Sequence, residues 1–336
     1  MVQTVKWGVL GAANFALQHM APAIHAARGA ELYALGTSDP AKAAAFQEFC
    51  PGLKVHASYD ALLADPAVEA VYIPLPNHLH VLWTLKALAA GKHVLCEKPI
   101  ALHAREIDQI IHARDASGKL AAEAYMIVFH PQWQRAKQLV AEGAIGRVLH
   151  VDAAFSYDNR SDPGNIRNRA DAGGGGIRDI GVYTYGSVRF VTGAEPVDLT
   201  AKVIKEHGVD TFAQVNAIMS GPVSGGLGGR FTYSAMTSMR LFNRQEVVFQ
   251  GDKGMIRVAN GPFNGNVHDQ AQIELHRPGQ TVTIDRFPGV NQYVLQVEAF
   301  NRSVRDGTPY ACPLEFVRGT QAMIDRVFNV AQEITL

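Results

Sequence analysis

Through residues 1–125, short apolar runs alternate with segments whose apolar positions recur at helical spacing. Val5–Leu10, Glu31–Leu35, Val55–Ala57, Ala70–Ile73, Lys92–Cys96 and Leu120–Ala124 read as strands, several of them apolar throughout, as strands covered on both faces must be. Between them, Asn14–Ala27, the run opened by Asp39-Pro40, Tyr59–Ala64, Asn77–Ala90 and Ala104–Ser117 read as helices. Asp39 is placed to cap its helix with Pro40 at the first helical position, and Asn77 to cap the next but one. Strand–helix alternation at this rhythm predicts an α/β fold: a parallel, doubly wound sheet with right-handed crossovers.

The texture changes after residue 145. Val148–Tyr157, Leu199–Lys205, Thr211–Met219, Gly228–Ser234, Glu246–Gln250, Gly254–Val258, Gln272–His276 and Gln280–Arg286 are strand-like. Turn signals such as Gly251-Asp252-Lys253-Gly254 and Arg277-Pro278-Gly279 join them. One helix, Asp179–Thr192, interrupts them, and two amphipathic stretches, Tyr293–Asp306 and Pro313–Glu333, close the chain. This predicts an α+β domain built on an open, mostly antiparallel sheet. The domains expected are 1–125 and 126–336, with the C-terminal helix available to pack back on the first. An open sheet face needs a cover, and self-association into a homodimer or homotetramer is the economical one.

With 47% hydrophobic and 18% charged residues among 336, the chain has enough apolar material for two cores. Its formal net charge is zero and no Lys/Arg cluster resembles a phosphate-backbone track, which argues against nucleic acid as a partner. Three widely separated cysteines without a CxxC pair argue against a disulfide framework or a zinc site and fit a reducing compartment. No stretch is long and apolar enough to span a bilayer, so the expected address is the cytoplasm.

Candidate chemistry gathers at strand ends. The first turn, Gly11-Ala12-Ala13-Asn14-Phe15-Ala16, aligns Gly11, Ala13 and Ala16 with the glycine positions of the dinucleotide fingerprint. Small residues there let backbone and helix N-terminus approach a pyrophosphate, although a plain tight βα turn has the same look. The second strand ends in Gly36-Thr37-Ser38-Asp39. Hydroxyls at Thr37 and Ser38, with Lys42 one turn on, suit the 2′-phosphate of NADP, and Asp39 as a helix cap is turned away, so NADP is favoured over NAD. After the fourth strand, Pro74-Leu75-Pro76-Asn77-His78-Leu79-His80 puts His80 one turn into a helix, either as a cofactor contact or as a partly exposed helix histidine. The fifth strand delivers Cys96-Glu97-Lys98-Pro99 to the crevice where such sheets bind ligands. Lys98 there is either a proton-handling group or a surface lysine paired with Glu97.

Gly11–Ala16, Pro76-Asn77-His78-Leu79-His80, Glu97-Lys98-Pro99 and Glu123-Ala124-Tyr125-Met126 follow the order of motifs in the Gfo/Idh/MocA oxidoreductases. So do Gly173–Gly176 followed by Asp179-Ile180-Gly181-Val182-Tyr183, and then Asn291-Gln292-Tyr293. The chain resembles that family over essentially its whole length. The resemblance implies a Rossmann domain, a C-terminal α/β domain whose open sheet mediates oligomers, and reversible hydride transfer between NAD(P) and a sugar or polyol carbon. It also implies cofactor contacts at Gly11, Ala12, Ala13, Asn14, Phe15, Thr37, Ser38, Lys42, Leu75, Pro76, Asn77, His80, Glu97 and Lys98. The spacing of Asp179 and Tyr183 resembles the glucose–fructose oxidoreductase, aldose (xylose) dehydrogenase and dihydrodiol dehydrogenase branch; the inositol dehydrogenase branch commonly has His in place of Tyr183. Carried over, Lys98, Asp179 and Tyr183 are the catalytic set.

Asp179 and Tyr183 are four apart on one expected helix and share a face, so they can serve one substrate; alone they would read as a helix cap and a packed tyrosine. A tyrosine beside a lysine ammonium has its phenolate favoured, as removal of a sugar hydroxyl proton requires. The chain departs from the family pattern at Val128, where Arg is frequent, and at Arg178, where an apolar residue is usual. With Arg160, Arg167 and Arg169, Arg178 makes 158–178 rich in arginine: either a solvated loop or, through Arg167, a contact to a sugar acid or sugar phosphate. The chain has no leader or N-terminal arm of the kind that periplasmic members of the glucose–fructose branch carry, so a freely exchanging cofactor is expected. The expectation is a sugar dehydrogenase or reductase. The alternatives are a carbonyl reductase or dihydrodiol dehydrogenase of the same family, or a non-catalytic NADP-binding sensor.

Overall fold

The computed structural model describes residues 4–222, 229–263 and 270–335. Contacts divide the chain into two units: residues up to Met126 with Asn291–Arg318, and Ile127–Val290 with the segment from Gly319 onward. The stretch around Tyr293–Asp306 thus belongs to the first unit rather than to a contiguous second domain.

The first unit is built on six parallel strands: β1 (Val5–Leu10), β2 (Ala30–Gly36), β3 (Lys54–His56), β4 (Ala70–Ile73), β5 (His93–Cys96) and β6 (Ala121–Glu123). Their order is β3-β2-β1-β4-β5-β6, so the direction of winding switches between β1 and β4, where such sheets bind ligands. Every residue of β4 is buried, as its unbroken apolar run requires. A π-turn at Ala16–Met20 runs into α1 (Ala21–Ala26), followed by α2 (Pro40–Phe49) and α3 (Tyr59–Leu63). A 3₁₀ turn at Asn77–Leu79 leads into α4 (His80–Ala89), and α5 (Ala104–Ser117) completes the alternation. Pro76, not Asn77, stands at the cap of that 3₁₀ turn: the proline's extended backbone delays the helix, and Asn77 becomes its first residue. The late helix α8 (Gln292–Asp306) seals β1, where Trp7 donates its indole N–H to Asn301 at 3.0 Å and lies against Phe300.

The second unit carries a nine-stranded sheet. Its strands are β7 (Val148–Asp158), β8 (Glu195–Glu206), β9 (Val209–Gly221), β10 (Gly229–Ser238), β11 (Arg240–Gly251), β12 (Met255–Ala259), β13 (Gln270–Arg277), β14 (Thr281–Pro288) and β15 (Ala331–Glu333). The order is β14-β13-β12-β11-β7-β10-β9-β8-β15, antiparallel except where β7 meets β10 and β8 meets β15. Gly228, where the sequence pattern begins the strand at β10, lies outside the described residues. Cross-strand rows show why the sheet has two unlike faces. Ala201, Val215, Ala235, Ala153, Val247, Val258 and Ile273 form one row, all buried, under α6 (Pro131–Ala141) and α7 (Val182–Thr192). The adjacent row, Asn216, Ser234, Asp152, Val248, Arg257 and Glu274, points to the other side.

Two elements escape the sequence pattern. The helix α6 hides because Gln132 occupies its core stripe, fully buried, with its amide donating to Ala259 O and Gln272 O at 2.8 Å each. The closing amphipathic stretch stops being helical at Val330, since α9 spans Leu314–Val330. There the chain pairs with the free side of β8 instead, and Ile334 N–H donates to Val203 O. Among the described residues, no helix is long and apolar enough to cross a membrane, and no cluster of His, Cys, Asp or Glu is arranged to hold a metal.

Candidate active site

At the carboxyl end of β1, Gly11 takes φ +112 and donates its N–H to Gly36 O at 3.0 Å. A Cβ there would lie 3.0 Å from Leu75 Cδ2 and 3.2 Å from the Tyr59 hydroxyl. Only glycine suits both the backbone and the space, and the turns after β1, β2 and β4 converge around it. Ala12 and Ala13 are half-buried, Asn14 is exposed, and Phe15 packs against His19 and Tyr293 of the same unit. This glycine cradle before a helix N-terminus fits the pyrophosphate of a dinucleotide.

At the end of β2, the Asp39 carboxylate accepts the N–H groups of Ala41 (3.0 Å) and Lys42 (3.4 Å), so it is engaged as the cap of α2. Thr37 is buried and its hydroxyl accepts Asp39 N–H, while Ser38 and Lys42 are exposed beside it. Leu75 is buried, with Pro76 and Asn77 half-buried after it.

His80 corrects the sequence reading. It is fully buried, not partly exposed, and both ring nitrogens are engaged at 2.7 Å, Nε2 with Leu75 O and Nδ1 with Pro99 O. Burial holds its pKa below the ordinary histidine range, against the two carbonyls, which favour a proton on each nitrogen. With both nitrogens facing backbone carbonyls and the ring fully buried, His80 is a clasp between the loops after β4 and β5 rather than a cofactor contact.

The Glu97–Ile100 loop is pinned at two further points. The buried Tyr72 hydroxyl donates to Glu97 Oε1 at 2.6 Å, and Glu97 Oε2 accepts Lys98 N–H at 3.2 Å. The Glu123 carboxylate at the end of β6 accepts Ile100 N–H at 2.8 Å. Burial pushes Glu123 up to about 7, opposed by that N–H and by the Lys98 charge. Lys98 therefore stands on a loop held by Tyr72, His80 and Glu123.

In the second unit, the structure brings Arg167 and Asp179 together. Arg167 Nε lies 2.8 Å from Asp179 Oδ2, and the Tyr157 hydroxyl donates to the same oxygen at 2.6 Å. The Asp179 charge raises the Arg167 pKa, while burial and then that same charge raise the Tyr157 pKa. Asp179 is buried inside a π-turn, Ile177–Gly181, and is not a helix cap. Tyr183, on the first turn of α7, is 6% exposed and packs on Phe155 and Phe263.

The glycine run before the turn has a steric cause. Gly174 and Gly175 donate their N–H groups to Arg169 O and Arg167 O, and a Cβ on Gly174 would sit 2.5 Å from Arg167 O. The other arginines of 158–178 each have a partner in this unit: Arg160 pairs with Asp158, Arg169 with Asp171, and Arg178 lies over the Phe328 ring. No local pattern marks Tyr157, Tyr72 and Glu123 as site residues, because their partners lie 22 to 25 residues away.

A glycine cradle at the switch point of a parallel sheet, followed by a pinned lysine loop, defines the first unit as an NAD(P)-binding Rossmann domain. Residues 5–125 match the model of the oxidoreductase family with an NAD-binding Rossmann fold, and residues 133–257 match the GFO/IDH/MocA C-terminal domain. The chain is 37% identical to an uncharacterized oxidoreductase, ORF334, of Rhizobium meliloti, covering 98% of this chain and 97% of that one. It is 32% identical to the D-xylose 1-dehydrogenase (NADP(+)) 2 of Haloferax volcanii, covering 98% of each. Among solved structures, KijD10, a 3-ketoreductase from Actinomadura kijaniata in complex with NADP and TDP-benzene, superposes with a TM-score of 0.86. It is 27% identical, over 99% of this chain and 100% of that one. The chain belongs to the Gfo/Idh/MocA oxidoreductase family and is an NAD(P)-dependent dehydrogenase or reductase.

Proposed function

We propose that this enzyme prefers NADP and moves hydride between the cofactor and a hydroxyl-bearing carbon of a sugar or sugar derivative, with Lys98 and Tyr183 acting as one proton-transfer unit. The observation that carries the reading is the lysine loop: Tyr72, His80 and Glu123 fix the backbone around Lys98 at the carboxyl edge of the sheet. Bound at Gly11–Phe15, Thr37, Ser38, Lys42, Leu75–Asn77 and the Glu97-Lys98 edge, the nicotinamide cofactor supplies or accepts the hydride. Tyr183 takes the proton from the substrate hydroxyl in oxidation and returns it in reduction. Asp179, paired with Arg167 and held by Tyr157, orients that hydroxyl. The names of the relatives from Haloferax and Actinomadura support a sugar substrate and NADP.

An NADPH absorbance assay over aldoses, uronates and polyols, in both directions, tests this. Turnover of a sugar is expected; cofactor binding with no turnover of any carbohydrate, aromatic dihydrodiol or carbonyl would leave the non-catalytic sensor. The likeness to KijD10 favours a second reading, reduction of a keto group on a nucleotide-linked sugar, so the panel includes such a ketosugar. Tyr183→Phe should lower turnover by roughly two to four orders of magnitude with NADPH affinity retained. The double variant with Lys98→Ala should be little worse than either single one, because groups that act as a unit are non-additive. Near-normal turnover of Tyr183→Phe would move the proton elsewhere. Thr37→Ala or Lys42→Ala should weaken NADPH and spare NADH; equal loss for both would show that neither residue reads the 2′-phosphate.

A further inference from the structure

Asp210, the second residue of β9, has no part in the chemistry above, yet it is 4% exposed and its carboxylate is aimed at the turn that carries Asp179. Its Oδ2 accepts Ile177 N–H at 2.6 Å. Its Oδ1 occupies the space beside Gly175, where a Cβ would come within 2.2 Å of it at a φ of +111. Asp210 thus serves the first residues of a helix from a strand 33 residues away, as a capping carboxylate normally does from the adjacent position. The backbone it holds is the backbone on which the site is assembled. Gly175 N–H donates to Arg167 O at 2.9 Å, Asp179 N–H donates to Gly175 O at 3.1 Å, and the side chains of Arg167 and Asp179 meet at 2.8 Å.

We propose that Asp210 is a positioning residue: by fixing Gly175–Ile177 it sets the register in which Arg167 and Asp179 pair. This rests on the reading of Asp179 as the group that orients the substrate hydroxyl. The cation acting on Asp210 is Arg178, which favours the carboxylate, and the carboxylate in turn disfavours ionisation of the buried Tyr185 of α7. Burial outweighs Arg178 and the backbone N–H groups of Ile177, Gly176 and Asp210, and pushes Asp210 up to about 7. The bond to Ile177 therefore tightens as pH rises through neutrality.

The full-length enzyme and two variants test this. Asp210→Ala removes the acceptor, and a misplacement of Asp179 by an ångström lowers kcat/KM roughly ten- to hundredfold while NADPH affinity stays within twofold. Asp210→Asn keeps an acceptor oxygen and recovers most of that loss, which a general destabilisation would not allow. By nuclear magnetic resonance, the Ile177 amide proton shifts with a midpoint near pH 7 in the wild type and stays put in Asp210→Asn. The Arg167 Nε–H, slowed in exchange by its pair with Asp179, exchanges faster in Asp210→Ala and not in Asp210→Asn. Wild-type kcat/KM in Asp210→Ala, or an Arg167 Nε–H that exchanges there as slowly as in the wild type, overturns the proposal. If no substrate turns over at all, the functional reading fails while the Arg167 exchange still decides the role of Asp210. If Asp210→Ala does not fold, Asp210→Glu, which keeps the carboxylate but lengthens its reach to Ile177, decides it by the same kcat/KM and Arg167 exchange.

Discussion

Buried titratable side chains set the behaviour of this chain at the residue scale, and they work in opposite directions. Glu123 binds its proton near 7 in the folded chain, because burial disfavours its anion, and near 4.5 once unfolded. The native state therefore holds that proton across the whole interval. The stabilisation is fully present below pH 4.5 and is lost as pH rises through 7. His93 behaves oppositely: burial, and then the Lys119 charge, push it down to about 4. Its contribution is present above pH 6.5 and lost as pH falls through 4. Glu123→Gln removes only the first arm. The melting temperature of the variant should fall more steeply than that of the wild type between pH 7 and 5, and the gap should close or reverse at pH 8. At one pKa unit per 1.36 kcal/mol, the arm is worth at most about 3 kcal/mol. Parallel melting curves across that range would show that Glu123 ionises normally.

Loops rather than the regular elements carry the site, and they are held by side chains remote in sequence. His80 joins the loop after β4 to the loop after β5 through two backbone carbonyls. A neutral imidazole donates to one of the two carbonyls, and stranding it costs about 1–3 kcal/mol, so His80→Phe should lower the melting temperature. Because both loops belong to the Rossmann domain, NADPH affinity should also fall about tenfold, with sugar KM little affected. Unchanged NADPH affinity by calorimetric titration would show that these loops hold their places without the clasp. Strands such as β1 and β4 were legible because their apolar runs need no partner to be recognised, and Asp39-Pro40 announced α2 by cap chemistry. The helix α6 was not, since Gln132 breaks its apolar stripe and its amide nitrogen finds its acceptors far along the chain, on β12 and β13. The Gly173–Gly176 run was visible as a motif, but its cause, three carbonyls from Ile166 to Arg169 crowding Gly174, exists only after folding. Arg167 could be picked out as a candidate, whereas its pairing with Asp179 and the share of Tyr157 in that pair are products of tertiary contact.

At the scale of the whole molecule, the open face of the nine-stranded sheet is the surface through which self-association is expected. Its inner rows are apolar and covered by α6 and α7; its outer rows carry charged and imidazole side chains paired along single strands and, at Arg257, between strands. Arg244 meets Glu246 at 2.9 Å, Arg257 meets Glu274 at 3.1 Å, His276 meets Glu274 at 3.0 Å and His150 meets Asp152 at 2.9 Å. Phe242 on β11 is 92% exposed, with Leu241 half-exposed beside it. A face of this kind is too polar to collapse without direction, and it offers complementary charge to a second copy turned by a two-fold axis. Association through it into a dimer or tetramer is the expected outcome, with an interface held in part by ions. Light scattering at micromolar concentration should report an oligomer at low salt that weakens at high ionic strength, where such pairs are screened. Arg257→Glu sets like charges against Glu246 and Glu274 within one copy and against the ladder of the next, so it should shift the equilibrium toward monomer at low salt. Phe242→Ser should do the same without the salt dependence, because it removes apolar burial rather than charge. A chain that is monomeric at every salt concentration, or an oligomer indifferent to both substitutions, would mean that self-association does not use this face.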